Sequence, residues 1–199
     1  MNPRRFHSPA FTLVELLVVV ALVAFLMAVA LPAITNVMKG ATLTRAGQLV
    51  ADHLALARQE ASGKNREVQV RFVWKDGSPA GYRGVQLWAT DPRNIREYRP
   101  ITRIAWMPDG TLISPAAGLS PLLDHPTIPE TNGEFPGRGL TKYCGFRFRS
   151  GGGTDLTFNS TANFLTVVPD RDSARTDAPA NYTVVQVDPV NGRVRTYRP

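Results

Sequence analysis

Cysteine and histidine are scarce in this 199-residue sequence. Cys144 is the only cysteine, so no disulfide can form within the chain. It falls in an apparent strand, Tyr143 to Arg149, and reads as a small core residue rather than a nucleophile. The three histidines, His7, His53 and His125, lie far apart, and none has the spacing of a metal-ligand pair. Gly151-Gly152-Gly153 lacks the lysine and helix start of a phosphate loop and reads as a turn. Asp170, Asp172 and Asp177 offer oxygens, but their spacing is not that of an EF-hand. A solvated loop is the simpler reading and calcium the alternative. No acid–base pair, metal cluster or activated nucleophile stands out, so neither an enzyme nor a cofactor is expected.

What is present points elsewhere. The 16 glycines and 16 prolines favour a loop-rich or β-rich body. The formal net charge of +7 allows contact with nucleic acid, anionic lipid or acidic protein without choosing among them. From Leu16 to Leu31 no residue is polar, and from Phe11 to Leu31 the only charge is Glu15. At ~1.5 Å per residue such a helix matches a bilayer core of about 30 Å. Arg4 and Arg5 precede it without an acid, as on the cytoplasmic flank of a membrane helix. A secretory signal peptide would have a shorter, charge-free core followed by a small-residue cleavage site. A plain single-pass anchor has no use for Glu15. A carboxylate within the bilayer costs roughly 2.5–3.5 kcal/mol on insertion scales and suggests a partner.

The string AFTLVELLVVVALVAFLMAVALP, residues 10–32, resembles the class III signal of type IV pilins and type II secretion pseudopilins. The resemblance implies a prepilin peptidase that cuts between Ala10 and Phe11 on the cytoplasmic side and methylates the new Phe11 amine. Ala10 stands where that family usually has glycine. Glu15 matches the acid of the motif, and its implied role is assembly. A new α-amine has an unperturbed pKa of ~7.7–8.0. The Glu15 carboxylate of one subunit would pair with the Phe11 amine of its neighbour, so that each buried charge has a partner. Pro32 closes the apolar run. A kink in one continuous helix is the family expectation, and a helix end is the alternative.

The expected organisation is a leader over 1–10, a transmembrane half-helix over 11–31, an amphipathic half-helix over 32–62 and a β-rich periplasmic body over 63–199. Ala46, Val50, Leu54, Ala57 and Ala61 recur at helical spacing, with Leu43 and Leu49 widening the stripe. Gly63 is a plausible stop. Val68, Val70, Phe72 and Trp74 then alternate as a half-buried strand, and a second strand covers Tyr82 to Ala89. Ile101 to Trp106 and Thr111 to Ser114, around Pro108-Asp109-Gly110, make a hairpin candidate. Residues 115–142 read as a variable loop. Phe146 and Phe148, then Leu156 and Phe158, then Phe164 to Val168 continue the sheet. Asn191-Gly192 joins a closing hairpin of Tyr182 to Val187 and Arg193 to Tyr197.

The fold class implied is α+β: a long N-terminal membrane-spanning helix packed on a mainly antiparallel sheet, type IV pilin-like, with no helix after residue 62. It resembles GspH/FimT-type minor pseudopilins. LARQEASGKNREVQVRF and YCGFRFRSGGGTDLTF also resemble a pilin-like family called Verru_Chthon cassette protein D. The implied function is that of a minor pilin or pseudopilin in the bacterial inner membrane, partnered by prepilin peptidase and other pilin subunits. Some FimT-type relatives bind DNA through an arginine-bearing C-terminal region. Arg193, Arg195 and Arg198 are the corresponding candidates, and Arg193, Arg195 and Tyr197 share one strand face. The competing reading is a solvated sheet edge whose charge prevents aggregation.

Overall fold

A computed structural model describes residues 12–116, 118–124, 126–158 and 162–198, with the side chains of 29–39 outside the description. The chain forms two compact units, Met1–Lys39 and Gly40–Pro199. Helix α1, Leu13–Gly63, contributes to both. In the first unit every described side chain from Thr12 to Ala28 is exposed, and nearly all are apolar. The helical backbone continues through Pro32, and the expected kink falls where the side chains are not described. Among the described residues no helix is long and apolar enough to cross a membrane. The apolar run of the sequence, Phe11 to Leu31, extends past the described side chains at both ends.

Among its described residues the second unit has ten strands. They are β1 (Val68–Lys75), β2 (Gly81–Asp91), β3 (Asn94–Pro100), β4 (Ala105–Trp106), β5 (Thr111–Ile113), β6 (Ile128–Phe135), β7 (Gly139–Phe148), β8 (Phe164–Pro169), β9 (Thr183–Val187) and β10 (Val194–Tyr197). The order is β10-β9-β8-β5-β2-β1-β7-β6, with β3 and β4 also pairing β2, and every pair is antiparallel. The α+β class expected from the sequence is the architecture found.

One face of the sheet is the main core. The helix stripe of Ala46, Val50, Leu54, Ala57 and Ala61 is fully buried against Val68, Val70, Phe72, Leu87, Phe146 and Val185. Gly47 lets the helix approach β9, because a Cβ there would meet the Thr183 methyl at 2.5 Å. The opposite face carries a smaller cluster of Val73, Trp88, Ile128, Phe135 and Tyr143, flanked by Tyr98, Ile104 and Trp106. Both faces of the sheet are thus covered over β2, which is buried along its whole length.

Several expectations need correction. The Pro108-Asp109-Gly110 turn does not join a hairpin: β4 and β5 both pair with β2, and β5 then pairs with β8. A tight-turn motif bends the chain locally, and here the chain loops out after Trp106 and rejoins the same neighbour at Ile113 instead of reversing. Residues 115–142 are not one loop. They include the helical turn α2 (Pro121–Asp124), all of β6 and the start of β7. Helical segments therefore exist after residue 62, in α2 and in a 3-10 turn at Asp170–Asp172. Leu156 and Phe158 lie outside the strands, and Phe158 is 82% exposed. Sequence patterning also missed β3.

Candidate functional site

Ala10 and Phe11 lie outside the described residues, as do His7 and His125. The site becomes visible at Thr12. Its side-chain oxygen accepts from the Glu15 main-chain N–H at 3.2 Å. In return, a Glu15 carboxylate oxygen accepts from the Thr12 main-chain N–H at 3.0 Å and from its hydroxyl at 2.9 Å. Leu16 N–H donates to the Thr12 carbonyl at 3.2 Å and starts the α1 ladder. This is a capping box: Thr12 and Glu15 satisfy two of the donors that a helix start leaves without intrahelical partners. The Thr-x-x-Glu spacing that signals it stands in the sequence and was missed there. Glu15 is the one ionisable group in an otherwise apolar and exposed helical surface from Leu13 to Met27.

At the other end of the chain, β9 and β10 form the hairpin expected at Asn191-Gly192. Gly192 has a φ of +66°. The Asp188 carboxylate accepts from the main-chain N–H of Val190 at 2.9 Å and the side-chain amide of Asn191 at 2.8 Å, fixing the turn. The N–H groups of the turn hold the Asp188 carboxyl below its ordinary range. Arg58 on α1 donates to the Asn191 carbonyl at 2.7 Å. The structure separates the three candidate arginines. Arg193 and Arg195 are exposed, and among the described residues neither makes an ion pair. The Arg198 guanidinium instead donates to the Thr44 hydroxyl and, at 3.1 Å, to Asn181 Oδ1, tying the chain end to α1.

A second cationic cluster lies on the sheet face away from α1. The Arg71 guanidinium sits 3.9 Å from the Trp88 ring centroid and 4.5 Å from that of Tyr143. Its Nε and Nη2 donate to Gln69 Oε1 at 2.9 and 2.7 Å. Burial away from carboxylates lowers its affinity for the proton. Arg138 lies 4.6 Å from the Trp106 ring, and Lys75 approaches the same ring at 5.8 Å. Gly84 makes the room, since a Cβ there would stand 2.8 Å from the Trp106 ring. Period-two alternation in β1 does assign Arg71 to the face opposite Phe72, but nothing local links it to Trp88 or Tyr143.

The remaining candidates resolve into structural roles. Cys144 is buried in β7, and burial pushes its thiol up to about 12, which keeps it protonated and unreactive. His53 is half-buried, with Nδ1 2.8 Å from the Leu49 carbonyl. Asp170 pairs with Arg83 at 2.8 Å, and Asp172 lies against Arg171 and Arg175. Among the described residues no cluster of three or more His, Cys, Asp or Glu side chains is placed to hold a metal ion. Gly152, with φ +84°, sits in the turn expected for the triple glycine.

A family model for the prokaryotic N-terminal methylation motif matches residues 6–31. The chain carries that motif over those residues. No curated protein sequence matches. Among solved structures, the minor pseudopilin EpsH from the type 2 secretion system of Vibrio cholerae is similar at 14% identity. That alignment covers 79% of this chain and 97% of the other, with a TM-score of 0.46.

Proposed function

We propose that this chain is a prepilin-type subunit that is processed, methylated and assembled into a type II secretion or type IV pilus-like filament. In this reading a prepilin peptidase cuts between Ala10 and Phe11 and methylates Phe11. The apolar run of α1 anchors the chain in the bacterial inner membrane, with the leader cytoplasmic and the sheet unit periplasmic. Glu15 meets the Phe11 amine of a neighbouring pilin or pseudopilin subunit. The observation that carries the reading is the methylation motif over residues 6–31. The surface of α1 from Leu13 to Met27, apolar on every side except at Glu15, supports it, because such a helix needs lipid or other apolar helices around it. The GspH/FimT-type assignment and a bend at Pro32 belong to the same proposal.

The test is co-expression of the full chain with a prepilin peptidase, followed by mass analysis of the purified protein. A mature chain starting at Phe11 with one added methyl group supports the proposal. An intact Met1 terminus, or cleavage within the apolar run, overturns it.

A second reading, DNA capture during uptake, is favoured by one observation: Arg193 and Arg195 are exposed near Tyr197 and, among the described residues, make no ion pair. Exposed arginines beside an aromatic suit a phosphate backbone. Arg198, bound to Thr44 and Asn181, would contribute by positioning the hairpin.

A further inference from the structure

Strands β3, β4 and β5 are three successive pieces of one interrupted strand. Each runs antiparallel to β2: β3 from Asn94↔Asp91 to Pro100↔Trp88, β4 at Ala105↔Val85 and Trp106↔Gly84, β5 at Ile113↔Tyr82. Only β5 has a strand on its far side, namely β8. β8 stops at Pro169, where the chain enters the 3-10 turn and Asp170 N–H donates to the Gly110 carbonyl at 2.9 Å. From Trp106 back to Asn94 the far edge has no strand neighbour among the described residues. Met107 N–H donates to the Arg83 carbonyl at 2.8 Å, and Ile101 N–H to the Leu87 carbonyl at 2.9 Å. The alternation of an antiparallel ladder then turns the main-chain groups of Trp106 and Tyr98 away from β2, toward the open side.

Open edges commonly carry charge that blocks unwanted pairing. Here cations without an ion pair outnumber such acids among the described residues. The guanidinium groups of Arg93, Arg96, Arg103 and Arg138 make no ion pair or hydrogen bond among the described residues. Of the nearby acids, Asp91 holds Arg99, Glu97 accepts from the neutral Asn94 amide at 2.8 Å and keeps its charge, and Glu134 lines the neighbouring hollow with Arg138. Beside β4 lies a groove of about 570 Å³ between segments 101–104 and 136–138, with Gln86 and Trp106 at its base. Two of those free arginines, Arg103 and Arg138, line it, and no carboxylate does.

We propose that the β3–β4 edge and the adjoining groove dock an extended acidic segment of another protein, which adds as a strand. The main-chain groups of Tyr98 and Trp106 would supply the ladder, and Arg103 and Arg138 would clamp carboxylates as planar forks. Pairing with the same edge of a second copy would bring arginine against arginine, which like-charge repulsion opposes. A nucleic acid is disfavoured because stacking needs an open aromatic face. Arg138 already lies over the Trp106 ring, and Tyr98 packs against the Val73, Trp88 and Phe135 cluster. The inference goes beyond the filament reading and does not depend on it.

The test uses the full-length chain in detergent micelles and a labelled peptide of alternating glutamate and valine, followed by fluorescence anisotropy. Binding should occur and weaken steeply with salt. The glutamine–valine analogue and the acidic peptide methylated on alternate main-chain nitrogens should each bind about tenfold more weakly or worse. Arg103→Gln with Arg138→Gln should also weaken binding about tenfold while the thermal melt still shows a cooperative fold, and Arg93→Gln with Arg96→Gln gives an independent second variant. The proposal is overturned by no detectable binding, by equal binding of the acidic and neutral peptides, or by indifference to main-chain methylation. It is equally overturned if both double variants bind as the parent does, or if a thymidine oligonucleotide binds and the acidic peptide does not.

Discussion

Glu15 folds back onto Thr12, its carboxylate 3.0 Å from the Thr12 main-chain nitrogen and 2.9 Å from the hydroxyl. The acid read from the sequence as an assembly residue therefore has a partner within its own chain. In the proposed filament the same carboxylate also meets a neighbour's Phe11 amine. The helix start holds it in place, and the incoming cation supplies the charge that a hydroxyl and an amide cannot. Glu15→Ala should leave membrane insertion intact, because removing the charge makes the segment more apolar. It should abolish most incorporation into filaments. Alkaline extraction of membranes and co-purification with partner pilins read the two effects separately. Normal co-assembly of Glu15→Ala would refute the pairing.

Thr12→Ala tests the intramolecular half of the arrangement. Loss of the cap should destabilise the helix start by about 1 kcal/mol. Glu15 would keep its charge but lose the group that orients it. The expected outcome is processing at the normal site with reduced co-assembly, intermediate between the parent and Glu15→Ala. Co-purification yields of the three proteins with the same partner pilin give the comparison.

The packing of α1 predicts a larger effect at Leu54, which is fully buried among strands of the main core. Leu54→Ala should destabilise the sheet unit by about 2–5 kcal/mol, through lost burial and the cavity left behind. Leu56, exposed on the same helix, is the control, and Leu56→Ala should change stability by less than about 0.5 kcal/mol. Denaturant titration of the full chain, followed by near-ultraviolet circular dichroism, measures both.

This helix face was legible in the sequence because Ala46, Val50, Leu54, Ala57 and Ala61 repeat at the helical period and all pack one way. The closing hairpin was legible because Asn191-Gly192 fixes a turn by local backbone preference. β6 was not legible. Only Ile128 and Phe135, at its two ends, are buried, so its middle shows no alternation, and its strand conformation comes from pairing with β7. β4 and β5 were misjoined because a Pro-Asp-Gly turn does not state which neighbour the next strand will choose. At the candidate sites, Glu15 stood out as a charge in an apolar run. Arg103 and Arg138 are separated by 35 positions of sequence and meet only through the folding-back of the β6–β7 turn.

Arg198 should behave unlike its two neighbours. Its bonds to Thr44 and Asn181 tie the last strand to α1, so Arg198→Ala should destabilise the sheet unit by on the order of 1 kcal/mol. Arg193→Ala with Arg195→Ala should leave stability within about 0.5 kcal/mol, as expected for exposed side chains with no ion pair among the described residues. In the DNA-capture reading that double variant weakens binding to duplex DNA and flattens its salt dependence, since fewer counterions are released. Unchanged affinity and an unchanged salt slope for the double variant would end that reading.

Alkaline pH gives a test of the buried end of β2. Burial raises both the Cys144 thiol, to about 12, and the Tyr82 phenol, whose hydroxyl also donates to Glu130 at 2.5 Å. In the unfolded chain these groups ionise near 9 and 10, the ordinary values for each. The folded chain holds their protons to higher pH than the unfolded chain does. Stability from these two groups is therefore complete below pH 9 and declines as pH rises from about 9 toward 12. The melting temperature should fall over that range, and Cys144→Ala should remove part of the fall by deleting one titrating group. Tyr82→Phe should remove another part, at the loss of the Glu130 bond, which lowers stability at every pH. A melting temperature independent of pH between 9 and 11 in the parent protein would show that neither proton is retained by folding.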